Sequence, residues 1–99
     1  MNDILDLELI SKLRLSIGGV EDITGVNQRK IRYWEEKGII SSLQGKCGAN
    51  KLFNYINVKK ILFIKEFMEE GFTLNASVKK ANEKLIPTIE LFESLDKSQ

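Results

Sequence analysis

Apolar positions recur at helical spacing along most of the chain, separated by short stretches rich in Gly, Ser and Asn. Residues 1–13 carry Ile4, Leu5, Leu7, Leu9, Ile10 and Leu13. They predict an amphipathic helix whose apolar face is wider than a monomer leaves exposed, with Asn2 or Asp3 at its cap. Arg14 to Ile17 alternates polar and apolar, as a very short strand or an extended lead-in would, and Gly18-Gly19 is expected to break the pattern. Val20 to Thr24 predicts a short helix with Gly25 at its C′ position. Asn27 suits the N-cap of the next helix, and Val26 and Ile31 have the spacing of a hydrophobic staple. Gly38 ends that helix. Residues 41–50 include Gly45, Lys46 and Gly48 and read as a hairpin or exposed loop, with Lys51 to Phe53 as the return strand. Asn54 caps a long helix through Glu70, with Val58, Ile61, Leu62, Ile64 and Phe67 available for a core. Gly71 stops it, and Phe72 is placed for a Schellman-type apolar contact. Thr73 caps the following helix, in which Leu74, Val78, Ala81 and Leu85 share one face. Pro87 is expected to interrupt it, leaving Ile89, Phe92 and Leu95 on a last short helix.

The helix after Asn27 crowds Arg29, Lys30, Arg32, Tyr33 and Trp34 together. At about 100° per residue, Trp34 and Glu35 fall near Ile31, while Arg29, Tyr33 and Glu36 lie opposite, flanked by Arg32 and Lys30. Ile31 and Trp34 are therefore core anchors and the cations point outward. The cations also gather at the helix N-terminal half, where the dipole favours anions. A short helix, a tight Gly turn, a cation-rich second helix and a Lys-bearing Gly loop follow the order of a helix-turn-helix with a wing. The plainer reading, a solvated charged face, is open from charge alone.

Composition sharpens the choice. Ninety-nine residues with 42% apolar content make one domain with a real core. The net charge is +1, but residues 24–60 hold eight Lys/Arg and two acids, a local +6, while the rest holds seven and twelve, a local −5. A cation stripe between acidic flanks suits a polyanionic partner. The chain has no His and one Cys, Cys47. The commonest general base, the usual zinc ligand and an intrachain disulfide are thus excluded, and Cys47 reads as an incidental loop residue. No activated nucleophile, phosphate loop or cofactor fingerprint is present, so neither an enzyme nor a cofactor is expected. Phe63, Phe67, Met68 and Phe72 read as core rather than a ligand pocket. No apolar run spans a bilayer and the N-terminus is acidic rather than signal-like, so the expected location is cytoplasmic.

The stretch IGGVEDITGVNQRKIRYWEEKGII closely resembles the MerR-type signature I-G-x-L-A-x-x-T-G-V-S-x-R-T-I-R-Y-Y-E-x-x-G-L-I. Ile17, Gly18, Thr24, Gly25, Val26, Arg29, Ile31, Arg32, Tyr33, Glu35 and Gly38 match it. GANKLFNYINVKKILFIKEFMEEGFTL is similar to the family's wing and third-helix pattern. The resemblance covers about Leu15 to Leu85. It implies a mainly α, winged helix-turn-helix fold with a small β-hairpin wing, here carrying an extra N-terminal helix. The corresponding segments are 1–14, 15–86 and 87–99. It also implies a transcriptional regulator acting as a dimer on palindromic double-stranded DNA. The recognition helix would supply Arg29, Lys30 and Tyr33 and the wing Lys51. With Gln28, Arg32, Lys46 and Asn50, these make up the expected DNA-facing set. Arg32 also has Glu35 as a candidate intradomain partner.

The chain departs from the signature in several places. Lys51 replaces a wing Arg, which loses bidentate geometry. Asn50 replaces the wing Tyr and its contact, Lys30 replaces Thr, and Glu21 replaces a small buried Ala. Pro87 and about a dozen residues follow where classical members continue into a coiled coil and effector domain. The small glutamine-synthetase repressor branch is the better comparison, with its N-terminal helical extension and a short tail that engages a regulatory partner. On that resemblance Ile4, Leu5, Leu7, Ile10 and Leu13 take part in homodimer pairing; the alternative is that they cover the monomer's own core. The tail around Ile89, Phe92 and Leu95 is either a partner-binding or autoinhibitory segment or, as preferred, a short docking helix. Two other functions compete: an architectural DNA-binding protein for excision or chromosome anchoring, and a protein-interaction module without DNA affinity.

Overall fold

The computed structural model describes residues 3–44 and 50–97, with side chains from Asp6 to Gln44 and from Asn50 to Leu95. Lys46 and Cys47, and the side chains of Ile4 and Leu5, lie outside the described residues. The order is α1 (Asp3–Lys12), β1 (Arg14–Ser16), α2 (Ile17–Thr24), α3 (Gln28–Glu36), β2 (Leu43–Gln44), β3 (Lys51–Asn54), α4 (Tyr55–Glu69) and α5 (Leu74–Lys97).

Local chemistry sets most of these boundaries. Asn27 and Asn54 are extended N-caps whose side chains accept from Lys30 N and Asn57 N. They satisfy donors that have no partner inside the helix. Ser16 does the same for Gly19 N at 3.2 Å, so α2 starts at Ile17 and takes in the Gly18-Gly19 pair that the pattern treated as a break. After α4, Phe72 N donates to Phe67 O at 3.1 Å and the two rings meet edge-on at 6.0 Å, the apolar clasp expected there. Thr73 Oγ1 accepts from Ala76 N at 3.2 Å at the start of α5.

Pro87 does not end α5; the helix runs through it to Lys97. Proline removes one helical donor and crowds the preceding turn, yet Leu85 is anchored in the core before it. Beyond it, Phe92 packs on Tyr55 at the start of α4, ring centroids 5.8 Å apart. Tertiary contact on both sides carries the helix across the weak point.

The three strands form an antiparallel sheet in the order β1-β3-β2. Leu15 faces Phe53 in β3, and Leu43 faces Leu52. The hairpin wing therefore gains a third strand from the segment after α1. The core joins Val20 of α2, Ile31 and Trp34 of α3, Phe53 of β3, Val58, Ile61, Phe63 and Ile64 of α4, and Ala81 and Leu85 of α5. Both staple residues, Val26 and Ile31, are buried in it. Leu62 and Phe67, also expected in the core, are only partly buried. The most extensive helix–helix contact is between α4 and α5, and α1 packs on both. Among the described residues no helix is long and apolar enough to cross a membrane.

Candidate nucleic-acid interface

The site is built on the turn between α2 and α3. Gly25 adopts φ 75°, a left-handed conformation natural to glycine, and its N–H donates to Glu21 O at 2.8 Å. Thr24, 2% exposed, donates its hydroxyl to Val20 O at 2.7 Å and accepts from Val26 N at 3.1 Å. Lys65 reaches across from α4 and donates to Thr24 O at 2.9 Å. The turn's polar groups are thus tied both to α2 and to α4, which fixes the angle at which α3 leaves.

α3 divides as its sequence period requires. Ile31 is 0% and Trp34 3% exposed, while Arg29, Lys30, Arg32, Tyr33, Glu36 and Lys37 face solvent. Lys37 lies over the Tyr33 ring, 5.5 Å from its centroid. Gln28, half-buried, opens the helix and is engaged on both sides of its amide. Its Nε2 donates to Glu21 Oε1 at 3.2 Å, and its Oε1 accepts from Arg32 Nη2 at 3.1 Å. The Gln28 backbone N–H donates to Glu21 Oε2 at 3.3 Å.

Glu35, the candidate partner of Arg32, pairs instead with the wing. Its Oε1 accepts from Lys51 Nζ at 3.2 Å, and Ser42 Oγ donates to its Oε2. This clasp spans α3, the segment after it and β3, so the Lys51 ammonium is held beside α3. A groove of about 290 Å³ lies between helix and wing, lined by Arg32, Glu35, Asn50 and Lys51 with Ser16 and Ile17 at one side. Three expected DNA-facing residues, Arg32, Asn50 and Lys51, thus meet in one concavity, while Arg29, Lys30 and Tyr33 are exposed outside it, Lys30 lining a second hollow against α4. On α4, burial pushes the Lys60 ammonium's pKa down.

The sequence reading missed several residues that shape this face. In the sequence Glu21 stands out only as a departure from the family signature. No sequence pattern marks Lys65 or Asn57, yet Asn57 Oδ1 accepts from Ser41 N at 2.9 Å and fixes the chain leaving α3. Of the proposed pairing residues, Leu7 and Ile10 are half-buried, and Leu13 is exposed. Among the described residues Leu9, outside that set, is the most open of the large apolar side chains at 62%.

Residues 15–84 match the family described as MerR HTH family regulatory protein. The chain belongs to the MerR family. Its relatives include HTH-type transcriptional regulator GlnR of Bacillus anthracis, 38% identical over 58 residues, 59% of this chain and 44% of that protein. The Mercuric resistance operon regulatory protein of Bacillus cereus is 35% identical over 63 residues, covering 64% and 48%. HTH-type transcriptional regulator TnrA of Bacillus subtilis (strain 168) is 33% identical over 57 residues, covering 58% and 51%. The chain spans about half the length of these curated relatives.

Proposed function

We propose that this MerR-family chain is a cytoplasmic, DNA-binding regulator of transcription that acts as a homodimer on a palindromic operator. α3 enters the major groove, Arg29 and Lys30 reach base edges, and Tyr33, Arg32 and the wing residues Lys46, Asn50 and Lys51 hold the backbone. The observation that carries this reading is the split of α3: Ile31 and Trp34 are locked in the core while every cation of the helix is outward. Exposed Leu9 on α1 and exposed Leu13 just after it, together with half-buried Leu7 and Ile10, support pairing of two copies through this segment, to which the proposal also assigns Ile4 and Leu5. The relatives' printed roles as transcriptional regulators support the regulatory part.

Selection from a random duplex pool tests it. A regulator enriches one inverted-repeat sequence. An architectural protein retains all duplexes about equally, and an interaction module retains none. In sedimentation, the wild-type chain should run as a dimer, and Leu7→Asp with Ile10→Asp should halve the mass. An unchanged mass removes the pairing surface from the proposal.

A further inference from the structure

A carboxylate from α2 reaches the first turn of the recognition helix. Glu21 holds the Gln28 backbone N–H with one oxygen and the Gln28 side-chain amide with the other, at 3.3 and 3.2 Å. Because a carboxylate only accepts, the amide must turn its NH₂ toward Glu21 and its oxygen away. That oxygen accepts from Arg32 Nη2 at 3.1 Å. Glu21, Gln28 and Arg32 therefore form a polarised chain running from a half-buried residue to an exposed guanidinium. The charged ends make both links charge-assisted, hence stronger than neutral pairs. Arg32 spends one of its five donors on the chain and presents the rest to solvent.

We propose that Glu21 is a positioning residue for DNA recognition: acting through Gln28, it holds the Arg32 guanidinium in one orientation toward the duplex without itself touching DNA. The proposal rests on α3 being the recognition helix. It predicts that Glu21 contributes to selectivity, although an acid beside a DNA-facing helix lowers affinity for any polyanion.

The test is a double-mutant cycle on the full chain. Affinity is measured for the duplex selected from the random pool and for a shuffled duplex of equal length and composition. Glu21→Ala should lower the ratio of the two affinities about tenfold, the scale of one charge-assisted hydrogen bond, while raising affinity for the shuffled duplex. Arg32→Ala should lower the ratio as well, because the phosphate contact Arg32 makes sets the register in which Arg29 and Lys30 meet the base edges, and the double variant should fall no lower than Arg32→Ala alone. Glu21→Gln keeps one acceptor and should lose less. If Glu21→Ala does not fold by circular dichroism, Gln28→Met breaks the same chain and takes its place in the cycle. An unchanged ratio in the Glu21 variant, no effect of Arg32→Ala, or multiplying effects in the double variant overturns the proposal while leaving DNA binding intact. A wild-type chain that binds no duplex removes the recognition-helix reading and this proposal together.

Discussion

Replacing Gly25 by Ala probes the joint on which the interface depends. Two costs follow from the geometry. At φ 75° a Cβ meets its own backbone, for about 1–2 kcal/mol. The new Cβ would also lie 2.9 Å from Lys65 Nζ. The ammonium sits at the end of a flexible chain and moves away cheaply, but in moving it gives up its bond to Thr24 O. Lys65 is half-buried, so that loss is about 0.5–1.5 kcal/mol, the net value of one intramolecular hydrogen bond. The total of about 1.5–3.5 kcal/mol corresponds to a melting point lower by roughly 6–28 °C, at about 4–8 °C per kcal/mol for a domain of this size. Urea melts of wild type, Gly25→Ala, Lys65→Met and the double variant separate the two costs. In the Lys65→Met background, Gly25→Ala should cost only the backbone term, so the coupling between the sites should be about 0.5–1.5 kcal/mol. Strict additivity would mean that Lys65 does not hold the turn. A Gly25→Ala protein as stable as wild type would refute the left-handed joint itself.

Ile31→Ala, at a site with no exposure, should destabilise the chain by about 2–5 kcal/mol in the same urea melts. Glu35→Ala should free Lys51 and Ser42 and raise affinity for shuffled duplex several-fold at low salt in fluorescence anisotropy. Its stability should drop by less than about 1 kcal/mol, because the Lys51 side chain is 60% exposed. Arg29→Ala should cost about 1–3 kcal/mol on the selected duplex and relax base preference, whereas Lys51→Ala should weaken selected and shuffled duplexes alike. The opposite pattern in competition binding would exchange the roles of reader and clamp.

What could be read from residue order alone was what neighbours within a turn or two determine. Gly25, Asn27, Asn54, Gly71 and Thr73 act on groups at most a few positions away, and each sits where the pattern placed it. The period around Ile31 likewise assigned the two faces of α3, because a helix leaves little choice once its buried side is known. The failures are at longer range. Pro87 is a local breaker, but Phe92 on Tyr55 overrides it from another helix. Gly18-Gly19 is weak helix material, yet Ser16 caps it; that serine, two residues ahead of the pair, was the available signal. Lys65 meets Thr24 across 41 positions and Lys51 meets Glu35 across 16, separations that no periodicity reports. Glu21 stood out as a departure from the family signature, but its target, seven residues on, appears only once the Gly25 turn folds α3 back toward α2.

The central claim is that the outward cations of α3 and the wing neutralise duplex phosphates. The most direct check is the affinity for the selected duplex titrated with salt. Six neutralised phosphates give a log–log slope of about −5. A slope near zero, or no duplex affinity at low salt, would contradict the claim.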